Sequence, residues 1–274
     1  MKKSDFQMKI AITLLSFIIL SGLLAPWLAP YDPNEIHMAV RLQGPSKEYL
    51  FGTDALGRDM LSRILYGGRA SILLALIATT LSMTLGMIIG VCAGYFTGVC
   101  DIVLTVVTQI FQGIPGTCLM IAIAGILGPG MNHLLLALVV TSWAGFSRIV
   151  RTETLRIREQ PYMEGLRALG AGTSTLLLKH LIPNMLPNVV VLFTTRVGRS
   201  VLSIASLSYL GLGLQPPHPD WSVMISDARL HYRSAPHLII VPGLCMFTLL
   251  FAINLLGDAL RDRMDVREEE VKEW

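Results

Sequence analysis

Apolar residues gather into long runs along this chain, and short polar passages separate them. The runs fall at 10–28, 71–98, 102–127, 132–146, 186–207 and 237–256. Read as helices, they predict six membrane spans, because a chain in lipid must satisfy its backbone hydrogen bonds internally and a helix does so segment by segment. The fold class expected is all-α. Lys2, Lys3 and Lys9 precede the first run, which is longer than the core of a signal peptide, and Ala25-Pro26-Trp27-Leu28 is a poor cleavage site. It is read as an uncleaved span. The expected division is an N-terminal span at 1–29, an outer loop at 30–70, a five-span core at 71–263 and a tail at 264–274.

The core contains one polar passage unlike a simple connection, at 151–185. Arg151, Arg156, Arg158, Arg167 and Lys179 lie in it with Glu153, Glu159 and Glu164. Gly170-Ala171-Gly172 breaks it into two short helical pieces, whose leucines (Leu166 and Leu169; Leu177, Leu178 and Leu181) keep helical spacing. Pro183 and Pro187 are expected to close the second piece and open the next apolar run. A folded polar element held between two spans fits a soluble partner better than it fits a plain loop.

Other features refine the picture. Arg58, Arg63 and Arg69 alternate with Met60, Leu61, Ile64 and Leu65, which predicts an amphipathic segment lying on the membrane surface. Glycines at 86, 90, 94 and 98 recur every fourth residue and predict a smooth groove for a neighbouring helix. Gly113-Ile114-Pro115-Gly116 interrupts the third run; Pro115 marks either a flexible point beside a pathway or a simple kink. Arg196 and Arg199 fall within the fifth run, three residues apart and on one helical face. Charge there is costly, so they either line a pathway or a subunit interface, or reach a membrane surface if the span begins later.

Composition supports a membrane protein. Of 274 residues, 53% are hydrophobic and 15% charged, with mean hydropathy +0.59. A net charge of +3 is too small to argue for nucleic acid. Lys and Arg number 13 in the segments that share a side with the N-terminus and 7 in the loops opposite, which favours both ends inside. The 151–185 element then faces the cytoplasm. The four cysteines show no CxxC or zinc spacing and are read as small packing residues. Six histidines form no HxxxH or HxxH pair and no metal site is assigned; His218 and His231 are the outer residues best placed to meet cargo or a delivering protein. No GxxxxGK[ST] phosphate loop and no HExxH occur, so neither ATP hydrolysis nor intramembrane catalysis is expected of this chain.

Glu164, Arg167-Ala168-Leu169-Gly170-Ala171 and His180-Leu181-Ile182-Pro183-Asn184 resemble the signature cytoplasmic loop of ABC importer permeases, with Glu164-Gly165-Leu166 departing from the usual double alanine. Gly52-Thr53-Asp54, Gly57-Arg58-Asp59, the stretch from Leu207 to Gly213 and that from Asn254 to Asp262 resemble the peptide/nickel-type permeases, the "C" subunit in particular. The resemblance implies a heterodimer with a second permease, two cytoplasmic ATPases that hold the ATP and magnesium, an extracytoplasmic binding protein, and a place in the bacterial inner membrane. It implies ATPase coupling through Glu164, Arg167, Ala168, Gly170, Ile182 and Pro183. Ile204, where peptide-type members carry a glutamate, and the stretch from Asp220 to Arg229 lean towards nickel or a metal chelate as cargo, with di- or oligopeptides as the alternative. A stand-alone secondary transporter would show matched broken helices in two halves, and only one such break is found.

Overall fold

The computed structural model describes the backbone of residues 2–272 and the side chains of 5–264. Among the described residues the chain is helical: α1 (Lys2–Leu23), α2 (Ala25–Leu28), a 3-10 turn (Met38–Val40), α3 (Met60–Phe96), α4 (Val99–Gly113), α5 (Gly116–Leu127), α6 (Met131–Arg158), α7 (Pro161–Ala168), α8 (Thr173–Thr175), a π-helical turn (Leu176–Leu181), α9 (Ile182–Tyr209), α10 (Trp221–Ala228) and α11 (His237–Lys272). Among the described residues, five stretches are long and apolar enough to cross a membrane: Asp5–Leu23, Met60–Phe96, Met131–Arg158, Thr173–Tyr209 and His237–Met264. The charged run at 268–270 falls on residues whose side chains lie outside the described set.

The sixth crossing comes from α4 and α5, which meet at an 82° bend. The packing of α3 on α6 requires it. Gly86 of α3 faces Phe146, Gly90 faces Ser147 and Val150, and Gly94 faces Thr154. Contacts that advance together along both helices make α3 and α6 parallel, so the chain between them must return across the layer. It does so beside α6: Asp101 of α4 pairs with Arg151, Gln112 donates to the Ala144 carbonyl at 3.0 Å, and α5 leads back to Met131. The bend sits at Ile114 and Pro115, where proline removes a backbone donor.

The remaining helices alternate. Asn188 of α9 meets Glu153 while Arg196 meets Phe146, so α9 runs against α6. Gly257 of α11 lies against Thr194, and Gly198 against Ile253 and Asn254, so α11 runs against α9. Arg263 donates to Asp5, which sets the foot of α11 beside the start of α1. Both chain ends and the connection at 159–172 therefore share one end of the bundle. The 29–59 segment and the α9–α11 connection share the other.

Three expectations are revised. Of the arginines at 58, 63 and 69, only Arg69 is exposed. The Asp59 carboxylate accepts from Ser62 N–H at 2.8 Å and caps α3 at Met60, so the helix starts 11 residues before the apolar run. Arg58 and Arg63 are buried, 5% and 1% exposed. Gly98 meets no neighbour; it has φ +65° and ends the α3–α4 turn, so the groove comprises Gly86, Gly90 and Gly94. Pro183 and Pro187 close nothing, because helix runs from Thr173 to Tyr209. Ile182 N–H donates to Leu177 O, five residues back, and this wider turn makes room for a proline ring without ending the helix.

Two buried apolar clusters result. The larger joins α3, α9, α10 and α11 through residues such as Leu74, Ile204, Trp221 and Leu249. The smaller, at the end holding the termini, contains Val91, Val150, Ile157, Met163, Leu176, Leu181, Met185 and Val189. Large apolar side chains such as Phe17, Ile110, Ile126 and Phe247 remain exposed around the bundle, as suits a surface covered by lipid or another subunit.

The glycine groove yields a direct prediction. A Cβ at Gly90 would stand 2.6 Å from the Ser147 carbonyl and 2.8 Å from Val150 Cβ, whereas one at Gly125 meets nothing within 4 Å. Gly90→Leu is expected to cost about 1–3 kcal/mol through overpacking and to lower the melting temperature in detergent. Gly125→Ala should leave it unchanged or raised.

Candidate functional site

The polar element at 151–185 is built from the end of α6, the short helix α7 and the turns leading into α9. Gln160 precedes Pro161, which occupies the first helical position of α7 where its missing N–H costs nothing. Glu164 lies in the first turn and Arg167 in the last, each at the helix end its charge favours. Gly170 has φ +83°. Its N–H donates to Arg167 O at 2.9 Å, and Ala171 N–H donates to Leu166 O at 3.0 Å, the two bonds of a Schellman cap. Nothing crowds a Cβ at Gly170, so the left-handed backbone alone is what demands glycine. Leu166 and Ala171 pack against the smaller cluster, completing the cap with an apolar contact.

This element is fixed to the spans. Met163 is fully buried in the cluster made by α3, α6, the π-helical turn and α9. Asn184 donates to the Tyr162 hydroxyl at 2.9 Å and to His180 O at 2.7 Å, tying α9 to α7. Arg158 donates to the Gly94 and Tyr95 carbonyls at 3.3 and 3.2 Å, which caps α3. Arg167 lies over the Tyr95 ring, and with Arg158, Glu159 and Glu164 it lines a polar cleft of about 300 Å³. Ala168 is exposed, and Leu169 projects with 86% of its surface free. Of the residues expected to act here, Glu164, Arg167, Ala168 and Gly170 belong to α7 and its cap. Ile182 and Pro183 lie where the π-helical turn becomes α9. Sequence reasoning gave no role to Met163, Tyr162, Arg158 or Asn184. Asn184, directly after Ile182-Pro183, was the one visible signal.

The other expected residues lie apart from this element. Arg196 sits mid-way along α9, its guanidinium carbon 5.3 Å from the centre of the Phe146 ring and packed against Gly145, so it does not reach the end of the helix. Arg199 is exposed. Pro115 stands at the α4–α5 bend. His218 is exposed in the turn before α10.

At the opposite end, His231 helps line a cavity of about 510 Å³ between the 54–63 segment and the α10–α11 connection. Asp54 accepts from Leu56 N–H, Arg58 N–H and Arg58 Nε at 2.9, 3.0 and 2.6 Å, which uses up much of its capacity. Asp227, on α10, is 3.8 Å from Arg58 Nη2. Burial pushes the Asp227 carboxyl above the usual carboxylate range, while Arg58 and Arg63 pull it back. Among the described residues no group of three or more His, Cys, Asp or Glu side chains is arranged to hold a metal.

The residues behind the nickel expectation have local structural roles. Ile204 is fully buried in the larger apolar cluster. Asp220 is the N-cap of α10, accepting from Ser222 N–H at 2.9 Å, and it also accepts from the Ser71 hydroxyl. Trp221 donates to Ile64 O at 2.9 Å across a face of α3 kept bare by Gly67 and Gly68.

The fold is a bundle of membrane-length helices with a capped polar helix seated at one end. Residues 84–267 match the family described as binding-protein-dependent transport system inner membrane component, and residues 9–45 match the N-terminal transmembrane domain of oligopeptide transport permease C. The chain is 40% identical over 259 residues to "Glutathione transport system permease protein GsiD" of Escherichia coli O6:K15:H31 and of Shigella boydii serotype 4, covering 93% of this chain and 86% of each relative. Two solved structures share the fold. One, "Inward facing conformations of the MetNI methionine ABC transporter", superposes with TM-score 0.62 at 19% identity, covering 74% of this chain and 97% of that one. The other, an amino acid ABC transporter with histidines, gives 0.56 at 17%, covering 70% and 90%. The chain belongs to the binding-protein-dependent inner membrane components, within the peptide/nickel-type ABC importer permeases. It is a multi-pass inner membrane transport subunit and not an enzyme, and its class works with ATPases, a binding protein and a second permease.

The cap and the buried methionine give separable predictions. Gly170→Ala should cost about 1 kcal/mol and Gly170→Asn less, because asparagine tolerates the left-handed region. Met163→Ala should cost about 2–5 kcal/mol. Amide hydrogen exchange over 161–171 is expected to rise modestly for the first, least for the second and most for the third.

Proposed function

We propose that this permease imports short peptides, that both chain ends and α7 face the cytoplasm, and that α7 seats in a groove of an ATPase subunit. The observation that carries the cargo is the 40% identity, over 93% of the chain, to permeases named for glutathione, itself a tripeptide. Nickel is the competing outcome of the test.

The coupling role is supported by the build of α7. Its outer face and tip are exposed at Glu164, Ala168 and Leu169, while its inner face is locked by Met163 and by the Tyr162–Asn184 bond. A small apolar knob on a rigidly held helix suits a socket in a partner. Closure of the ATPases would then push on α7, and Met163 would pass the displacement to α3, α6 and α9 together. The spans respond as a body, biasing an equilibrium between inward- and outward-open states. Gly170 shapes the turn, Arg167 braces α7 against Tyr95, and Ile182 with Pro183 carry the motion into α9. Arg196, Arg199 and Pro115 mark the middle of the bundle, where a pathway or the contact with the second permease would lie.

Cells lacking this gene and complemented with the wild-type chain should regain uptake of a labelled tripeptide, while nickel uptake stays unchanged. Leu169→Asp should abolish peptide uptake with membrane insertion intact. Restored nickel uptake without peptide uptake would reject the cargo. In a background free of native cysteines, a cysteine at 169 should react with a membrane-impermeant maleimide only in inside-out vesicles, and one at 230 only in intact spheroplasts. The reverse pattern would invert the orientation.

A further inference from the structure

The cavity at the end opposite α7 contains an unusual charge. Arg63 is 1% exposed, the largest of the fully buried side chains, and lines this cavity. Its Nη1 donates to Pro33 O at 2.9 Å. Its Nη2 has no hydrogen-bond partner, and its Nε stands 3.6 Å from Asp54 Oδ2, beyond hydrogen-bond reach. A buried guanidinium left with open donors is costly unless something completes it. Asp54 supplies a countercharge at 3.6 Å but no hydrogen bond, its Oδ2 accepting instead from Arg58 Nε at 2.6 Å.

Asp227 also lines the cavity, near enough to Arg63 for the two charges to act on each other. Asp227 is held only loosely by Arg58, at 3.8 Å, and nearly half of its side chain is exposed. Met60, Met224 and Leu238 give the cavity an apolar wall. The cavity thus combines an open cation, an open anion and a greasy wall. Its volume, about 510 Å³, lies within the range of small-molecule sites.

We infer that this cavity receives a short zwitterionic peptide, with Arg63 taking its carboxylate through the planar fork and Asp227 taking its ammonium. Arginine suits the first role because its donors match a carboxylate in geometry. A single carboxylate fits better than a doubly charged phosphate, since Asp54 and Asp227 already stand nearby. The inference rests on the peptide reading and on the cavity facing the side from which cargo arrives. It assigns recognition of the peptide's ends to this permease as well as to the binding protein. Affinity at such a station must be weak enough for cargo to leave.

The test uses the assembled transporter (both permeases and both ATPases) in lipid nanodiscs, without binding protein. Saturation-transfer NMR, which reads weak binding, follows trialanine, its C-terminal amide and its N-acetyl form. Blocking either end should weaken binding about tenfold, the loss of one charge-assisted contact. Asp227→Asn should bind trialanine and N-acetyl-trialanine equally while still preferring the free carboxylate. Arg63→Lys should lose much of the carboxylate preference. Asp227 lies near the surface, so its variant remains informative if the Arg63 variant fails to assemble. Equal binding of all three peptides to the wild type, or an unchanged amine preference in Asp227→Asn, would overturn the inference. Either of these could coincide with normal peptide uptake in cells, which would leave the cargo assignment standing.

Discussion

The close parallel contact between α3 and α6 is the constraint on which the rest depends. Three glycines let the backbone of α3 approach Phe146, Ser147, Val150 and Thr154 without intervening side chains. In lipid, where apolar burial between helices contributes little, such close packing is a main source of helix association. Because the two helices run the same way, the chain between them has to cross back, and the bent α4–α5 pair does this. The same contact brings the ends of α3 and α6 together, and only there can Arg158 cap α3 and Arg167 rest on Tyr95. The seat for α7 is a product of the helix pair beneath it.

The two ends of the bundle are organised on different physical terms. At the α7 end an exposed polar helix is anchored by one buried methionine, a glycine-dependent cap and a few hydrogen bonds. That is a rigid surface for a partner. At the other end, charges are drawn inside. Arg58, Arg63, Asp54 and Asp227 surround a cavity, and Asp59 and Asp220 are used as helix caps. Between them α9 links both, from the π-helical turn beside α7 to Tyr209, over which Arg229 lies near the cavity. A rigid displacement at one end has a continuous helix along which to reach the other.

Much of this was legible in the sequence. The apolar runs, the glycine spacing from Gly86 to Gly94, the break at Pro115 and the turn at Gly170 each follow from a local rule and each appears in the structure. What failed depended on tertiary partners. Arg58 and Arg63 read as surface charges, because nothing local reveals that Asp54 and Pro33 O await them. Asp59 followed by Ser62 was a visible N-cap signal, but the arginines masked the helix it starts. Pro183 and Pro187 suggested a break, since the compensating π-helical turn is a packing outcome. Met163 was invisible because its value lies in four other elements converging on it. The nickel lean came from Ile204 and the 220–229 stretch, in which Ile204, Asp220 and Trp221 serve packing and capping.

The central claim is that α7 moves as one body with α3 and α6. Spin labels at 168 on α7 and at 96 on the end of α3 would test it by pulsed electron resonance on the assembled transporter. One narrow distance, the same without nucleotide and with ATP trapped, is the result expected. A broad distribution, or a distance that shifts when ATP binds, would mean that α7 swings on its own and that the spans are driven by another route.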